Sequence, residues 1–230
     1  MRRRFSGRRE VAIGFGVYAV YLAVRQAVYH DRGRERAERN AKRIVELERR
    51  LRIHVEPAVQ RVCLDRKRLV VCLNAGYITL NVLLTVGSLV RLYRQRHPEF
   101  HRLRRAAALA TLGAQPSFLF FPTAPPRTLD GFTDTIRELG GIDLDEGLVS
   151  RLYDPIAAMP SIHCAYAIVT SAALAAGTDN RAVRAAAVAY PPAVAGAVVA
   201  TANHYVLDAV AGSALAALSL RAARRLGRSR

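Results

Sequence analysis

The chain has 230 residues, of which 51% are hydrophobic and 7% aromatic, and it carries a formal net charge of +17. The apolar residues gather in long runs, which excludes an ordinary soluble domain and points to a membrane. The arginines lie mainly beside and between those runs, where basic residues hold topology and meet anionic headgroups, so the charge is not read as a nucleic-acid interface.

In chain order, Arg2, Arg3, Arg4, Arg8 and Arg9 precede an apolar run at 11–24. Signal peptides share this basic flank, but no small-residue cleavage site follows, and Tyr29-His30-Asp31-Arg32 comes instead. A retained first span is expected, with Arg25 reaching toward the interface. Residues 35–63 are charged throughout, yet Ala41, Ile44, Val45, Leu47, Leu51, Ile53, Val55 and Val59 recur near helical spacing. An interfacial amphipathic helix is expected there, the seam being too short for a coiled coil.

Further apolar runs lie at 69–92, 106–121, 156–176, 183–202 and 205–220, each near the ~20 residues that cross hydrocarbon. With the first run they predict an all-α integral membrane bundle of six transmembrane helices plus the interfacial helix. Pro191-Pro192 should kink the fifth run, and Asn74 and Asn81 in the second are read as interhelical hydrogen bonds. The domain reading is 1–68 for the first span and amphipathic helix, 69–223 for a catalytic bundle, and 224–230 for a basic cytoplasmic tail.

The N-terminus, residues 91–105, residues 181–184 and the tail are basic and fall on one side of a six-span bundle, which is then cytoplasmic. The loop at 122–155, with Asp130, Asp134, Asp143, Asp145 and Glu146, falls outside; the basic segment 32–68 is placed outside too, against the rule. This predicts a multi-pass protein of the plasma membrane with its site on the extracytoplasmic face. Cys63, Cys72 and Cys164 show no C-x-x-C spacing and are read as buried, inert thiols. Asp143, Asp145 and Glu146 are read as a solvated loop, so no metal and no cofactor is expected.

Three segments carry chemistry. In Asn203-His204-Tyr205-Val206-Leu207-Asp208, the histidine and aspartate at i and i+4 share a helix face, so Asp208 can fix one imidazole nitrogen while the other meets phosphorus. In Met159-Pro160-Ser161-Ile162-His163, proline suits a first helical turn, Ser161 and free N–H groups form a phosphate cradle or a helix cap, and His163 can protonate a leaving oxygen. In Pro122-Thr123-Ala124-Pro125-Pro126-Arg127, the guanidinium is suited to phosphate oxygens. Tyr205 is read as a headgroup-level anchor. The six-span topology brings all three segments to the outer face.

Pro160, Ser161, His163, His204 and Asp208 resemble the second and third motifs of the PAP2 (type 2 phosphatidic acid phosphatase) superfamily, Pro-Ser-x-His and His-x-x-x-Asp. Residues 157–163, Asn203-His204-Tyr205 with Asp208, and residues 122–126 look like its inositolphosphotransferase branch, which includes fungal inositol phosphorylceramide synthase. The resemblance implies a lipid-phosphate phosphatase or phosphotransferase of PAP2-type fold, acting on a phospholipid, inositol-phospholipid or isoprenoid phosphate. By it His204 becomes a phosphohistidine, Asp208 orients it, and His163 serves as acid and then base. The third motif usually begins Ser-Arg, where this chain has Ala197 and Val198. Arg127 is then the evident phosphate cation, with Arg151 as a candidate replacement. The partners implied are a lipid phosphate, the membrane and, compatibly, further copies of the chain. A non-catalytic lipid-binding or carrier protein that keeps the fold is the alternative.

Overall fold

The computed structural model describes residues 5–140 and 155–228, and the elements are helices. They are α1 (Gly7–Val28), α2 (Asp31–Arg50), α3 (Glu56–Leu64), α4 (Lys67–Ala75), a π-helical turn (Gly76–Leu80), α5 (Asn81–Arg94), α6 (Phe100–Phe120), a 3₁₀ turn (Pro126–Thr128), α7 (Thr135–Gly140), α8 (Ile162–Ala176), α9 (Arg181–Ala200) and α10 (Val206–Arg228).

Helices α6, α8 and α10 pack on one another at the centre, with α5 and α9 against α8 and α1 against α6. Their contacts are built from small residues: Ala106, Val169 and Ala223 form one layer, and Ala110, Ala165 and Ala216 another. Small side chains let helix backbones approach in a setting where lipid is as apolar as leucine and hydrophobicity alone drives no association. Polar pairs add direction between the helices: Thr111 Oγ1 with the Tyr166 hydroxyl at 2.6 Å, and Thr85 Oγ1 with Thr170 Oγ1 at 2.8 Å.

Among the described residues, three helices are long and apolar enough to cross a membrane, namely α1, α9 and α10. Helix α8 is apolar but has 15 residues, about 22 Å at 1.5 Å per residue against a hydrocarbon core of about 30 Å. The run at 69–92 is divided by the π-helical turn, and α6 begins at Phe100, so its first turns carry the basic residues of 101–105. Val11 and Phe15 on α1 are turned outward. Arg25 is buried, with its guanidinium 4.8 Å from the centre of the Tyr29 ring just beyond the end of α1. The α9 helix continues through Pro191 and Pro192.

The single amphipathic helix expected over 35–63 is two helices. The break falls between Leu51 and Val55, where Arg52 takes a left-handed φ of 59°. Its stripe is divided: Ala37, Ala41 and Ile44 are buried against Ala124, Ile156 and Tyr205, whereas Leu47, Leu51 and Val55 are exposed. Asn40 Nδ2 donates to the Pro122 carbonyl at 2.8 Å, and Arg36 to the Leu119 carbonyl at 2.7 Å. Helix α2 therefore roofs the end of the bundle where α6 ends and α8 and α10 begin. Cys164 is buried as expected, whereas Cys72 is exposed and Cys63 half-buried among the described residues.

A close approach between elements falls at Gly212, where an added Cβ would lie 2.1 Å from the Ser161 carbonyl oxygen. Only a residue without a side chain lets α10 pass there, and the Ser161 N–H donates to the Asp208 carbonyl at 3.0 Å along the same seam. Gly212→Ala should cost about 3 kcal/mol or more, read as a fall in the thermal midpoint of the detergent-solubilised protein, whereas Gly196→Ala, where nothing lies within 4 Å of the added atom, should leave the midpoint unchanged.

Candidate active site

The turn from α9 to α10 presents His204. The N–H groups of Asn203 and His204 both donate to the Val198 carbonyl, at 2.9 and 3.0 Å, and Ala202 is forced to a φ of 54°. A left-handed alanine costs roughly 1–2 kcal/mol and persists because its surroundings hold it. One such hold is the Arg127 N–H, which donates to the Ala202 carbonyl at 2.8 Å. Val198 occupies one of the positions where the third motif usually has Ser-Arg, and here it serves through its carbonyl.

His204 was expected on the face of the last helix, but it lies two residues before α10, which begins at Val206. Asp208, in the first turn, reaches back instead. Its Oδ2 lies 3.3 Å from His204 Nδ1 and accepts from the Tyr205 N–H at 3.1 Å. The same carboxylate thus caps the helix and holds the imidazole, a reciprocal use of one acceptor that helix starts favour. Asp208 is fully buried and His204 nearly so.

The other ring nitrogen of His204, Nε2, faces His163 Nδ1 at 3.3 Å. His163 stands in the first turn of α8, with Tyr77 edge-on to its ring at 4.8 Å between centroids and its carbonyl accepting from Asn81 Nδ2 at 3.1 Å. Tyr77 lies in the π-helical turn and Asn81 follows it directly. Such turns re-aim side chains within a helix. Asn81 and Asn74, which bonds Thr135 Oγ1 at 3.0 Å, thus link neighbouring elements as expected. Tyr77 carried no sequence signal, being one more aromatic in an apolar run.

Ser161 is the N-cap of α8: its hydroxyl accepts from the Cys164 N–H at 3.3 Å, and the residue is fully buried. Pro160 precedes this cap, so it does not open the helix; the Met159–Pro160 peptide is cis. Arg127 is buried in the 3₁₀ turn, where Nη1 donates to Asn203 Oδ1 at 2.8 Å and Nε lies 3.3 Å from Asp134 Oδ2. Its tie to Asn203 makes it a neighbour of the His204 turn. Tyr205 is no headgroup anchor: it is fully buried, and its hydroxyl donates to the Ala124 carbonyl at 3.1 Å. Arg151, Asp143, Asp145 and Glu146 lie outside the described residues. Of the sequence-expected residues, His163, His204, Asp208 and Ser161 are joined in one contact network, and Arg127 adjoins it through Asn203.

The family model of the PAP2 superfamily matches residues 42–222. The chain belongs to the PAP2 superfamily. No curated protein and no solved structure matches it. PAP2 membership points to phosphatase-type chemistry, and the apolar helices point to a membrane protein. The matched span begins inside α2, so the roof helix belongs in part to the PAP2 region.

Because Asp208 Oδ2 serves both the Tyr205 N–H and His204, Asp208→Ala should destabilise the protein by about 1–3 kcal/mol through an orphaned buried donor. Asp208→Asn, which keeps an acceptor oxygen, should cost less than half as much; thermal unfolding of both variants in one detergent checks the difference.

Proposed function

We propose that the chain is a membrane lipid-phosphate phosphatase or phosphotransferase that works through a phosphohistidine at His204. The observation that carries this reading is the pairing of nitrogens: Nδ1 of His204 is taken by Asp208, which leaves Nε2 directed at His163 Nδ1, 3.3 Å away. A phosphoryl group entering between the rings would meet a nucleophile on one side and a proton carrier on the other.

In the first step the Nε2 lone pair forms a bond to phosphorus, the bond to the lipid oxygen breaks, and His163 gives that oxygen a proton. Asp208 stabilises the charge left on the His204 ring. In the second step His163 takes a proton from the acceptor hydroxyl, whose oxygen bonds to phosphorus as the N–P bond breaks. Water as acceptor gives hydrolysis, and another alcohol gives transfer. The likeness of residues 122–126, 157–163 and 203–208 to the inositolphosphotransferase branch supports transfer to an inositol-type alcohol. Arg127, already oriented by Asn203, is the guanidinium assigned to phosphate, with Arg151 assigned beside it and Ser161 as the cap that orients the α8 N–H groups.

The site's end of the bundle is where α6 ends and α8 and α10 begin. The opposite end collects Arg91 and Arg94 of α5, Arg102, Arg104 and Arg105 of α6, Arg181 and Arg184 of α9, and Arg221, Arg224 and Arg225 of α10. By the positive-inside rule this arrangement supports a cytoplasmic basic end and a site on the outer face of the plasma membrane. We assign six membrane passages, with 1–68 as an N-terminal unit, 69–223 as the catalytic bundle and 224–230 as the tail.

Purified protein in detergent should release phosphate from one or more of a panel of lipid phosphates in the presence of EDTA. His204→Ala and His163→Ala should each lower the rate by about 10²–10⁴-fold, and labelled substrate should leave an acid-labile phosphoprotein in the wild type but not in His204→Ala. If no release occurs, labelled phospholipid plus inositol should reveal transfer; silence in both assays would favour a carrier that keeps the fold without the chemistry.

A further inference from the structure

The first turn of α10 is capped from far away in sequence. Glu56 Oε1 accepts from the Val206 N–H and Glu48 Oε1 from the Leu207 N–H, each at 2.8 Å across 150 and 159 residues. Both glutamates are completely buried. Their other oxygens turn toward one imidazole: His54 Nδ1 lies 3.0 Å from Glu56 Oε2 and 3.6 Å from Glu48 Oε2. Free N–H groups at a helix start carry the positive end of the helix dipole and favour carboxylates. These two carboxylates hold the N–H groups immediately before Asp208, on the turn that also carries His204.

We propose that Glu48 and Glu56, bridged by His54, are positioning residues: they clamp the start of α10 from the roof helices and so set where His204 and Asp208 stand. The proposal rests on the phosphohistidine reading above. Neither glutamate touches the reacting nitrogens, so their effect passes through the Val206 and Leu207 backbone.

Charge gives the clamp a pH dependence. The groups that face Glu48 are Glu56 on α3, His54 in the α2–α3 link, and Tyr205 and Asp208 at the start of α10, with His204 beyond Asp208. Burial, and then the neighbouring Glu56, push the Glu48 carboxyl up from 4.5 to about 8. Two ionised carboxylates in so dry a place repel each other and Asp208. A carboxyl raised in the folded state favours folding while protonated. Its contribution is complete below about pH 4.5 and is lost as pH rises through about 8.

The test uses the full chain in detergent with Glu48→Ala, Glu48→Gln, Glu56→Ala and Glu56→Gln. Both alanine variants should lower kcat by about 10- to 100-fold with KM little changed, and amide exchange at Val206 and Leu207 should speed by about tenfold or more as the local opening free energy falls. The glutamine variants keep an acceptor oxygen and should restore most of kcat. Glu48→Gln should also flatten the fall in thermal midpoint that the wild type shows through about pH 8. Unchanged kcat and unchanged exchange in both alanine variants would overturn the clamp. So would a stoichiometric divalent metal seated on Glu48, His54 and Glu56, found by elemental analysis and removed by EDTA. If the wild type turned over no lipid phosphate, the function reading would fail by itself. The exchange rates, and the reactivity of His204 toward diethyl pyrocarbonate, would still decide whether the glutamates position it.

Discussion

A buried carboxylate at the start of a helix organises this end of the molecule. Asp208 needs acceptor-to-donor contacts to remain in a dry place, and it finds them in the Tyr205 N–H and the His204 ring. Its backbone carbonyl accepts from the Ser161 N–H, which ties the second chemical segment to the third. Every other feature near the site follows from keeping that junction in place. Gly212 lets the chains approach, Val198 gathers two N–H groups with one carbonyl, and Ala202 accepts a strained backbone so that the turn can close.

The arrangement also explains how three distant segments meet without a sheet to align them. Thr123 pairs with Ala157 in a single parallel bridge, with the Thr123 N–H donating to the Ile156 carbonyl and the Ala158 N–H to the Thr123 carbonyl. Arg127 N–H then reaches Ala202. A few backbone hydrogen bonds between irregular segments do the work of a ladder, which is tolerable at membrane depth only where protein buries them.

The proximity of His163, His204 and Asp208 was legible from their motif spacing, and the structure brings them within hydrogen-bonding distance. The helical class was legible from hydropathy. The span count was less so, since apolar runs at 69–92 and 156–176 belong to helices that are broken or short. The packing of the roof was less legible for a different reason. Periodicity identifies a stripe but not what covers it, and Ala37, Ala41 and Ile44 of α2 meet Ala124, Ile156 and Tyr205 while Leu47 stays exposed. One signal was present and unused: Ala37, Ala41, Ile44 and Glu48 follow one another at intervals of four, three and four, which puts a carboxylate on the apolar face. Tyr205 misled in the same way, because an aromatic beside a polar motif has the same composition whether it faces headgroups or a carbonyl.

The π-helical turn at Gly76–Leu80 gives the second apolar run a register of its own. Asn74 on one side of it meets Thr135, while Tyr77 within it and Asn81 just after it meet His163. An α-helix advances by about 100° per residue, and a wider π-helical turn takes up about one residue's worth of that rotation. The two flanking helices therefore keep the relative phase of a continuous α-helix one residue shorter. In this stretch, chain length and residue identity act separately: the turn can absorb a change of one residue, which the regular helices on either side of it cannot do without rotating one face against the other.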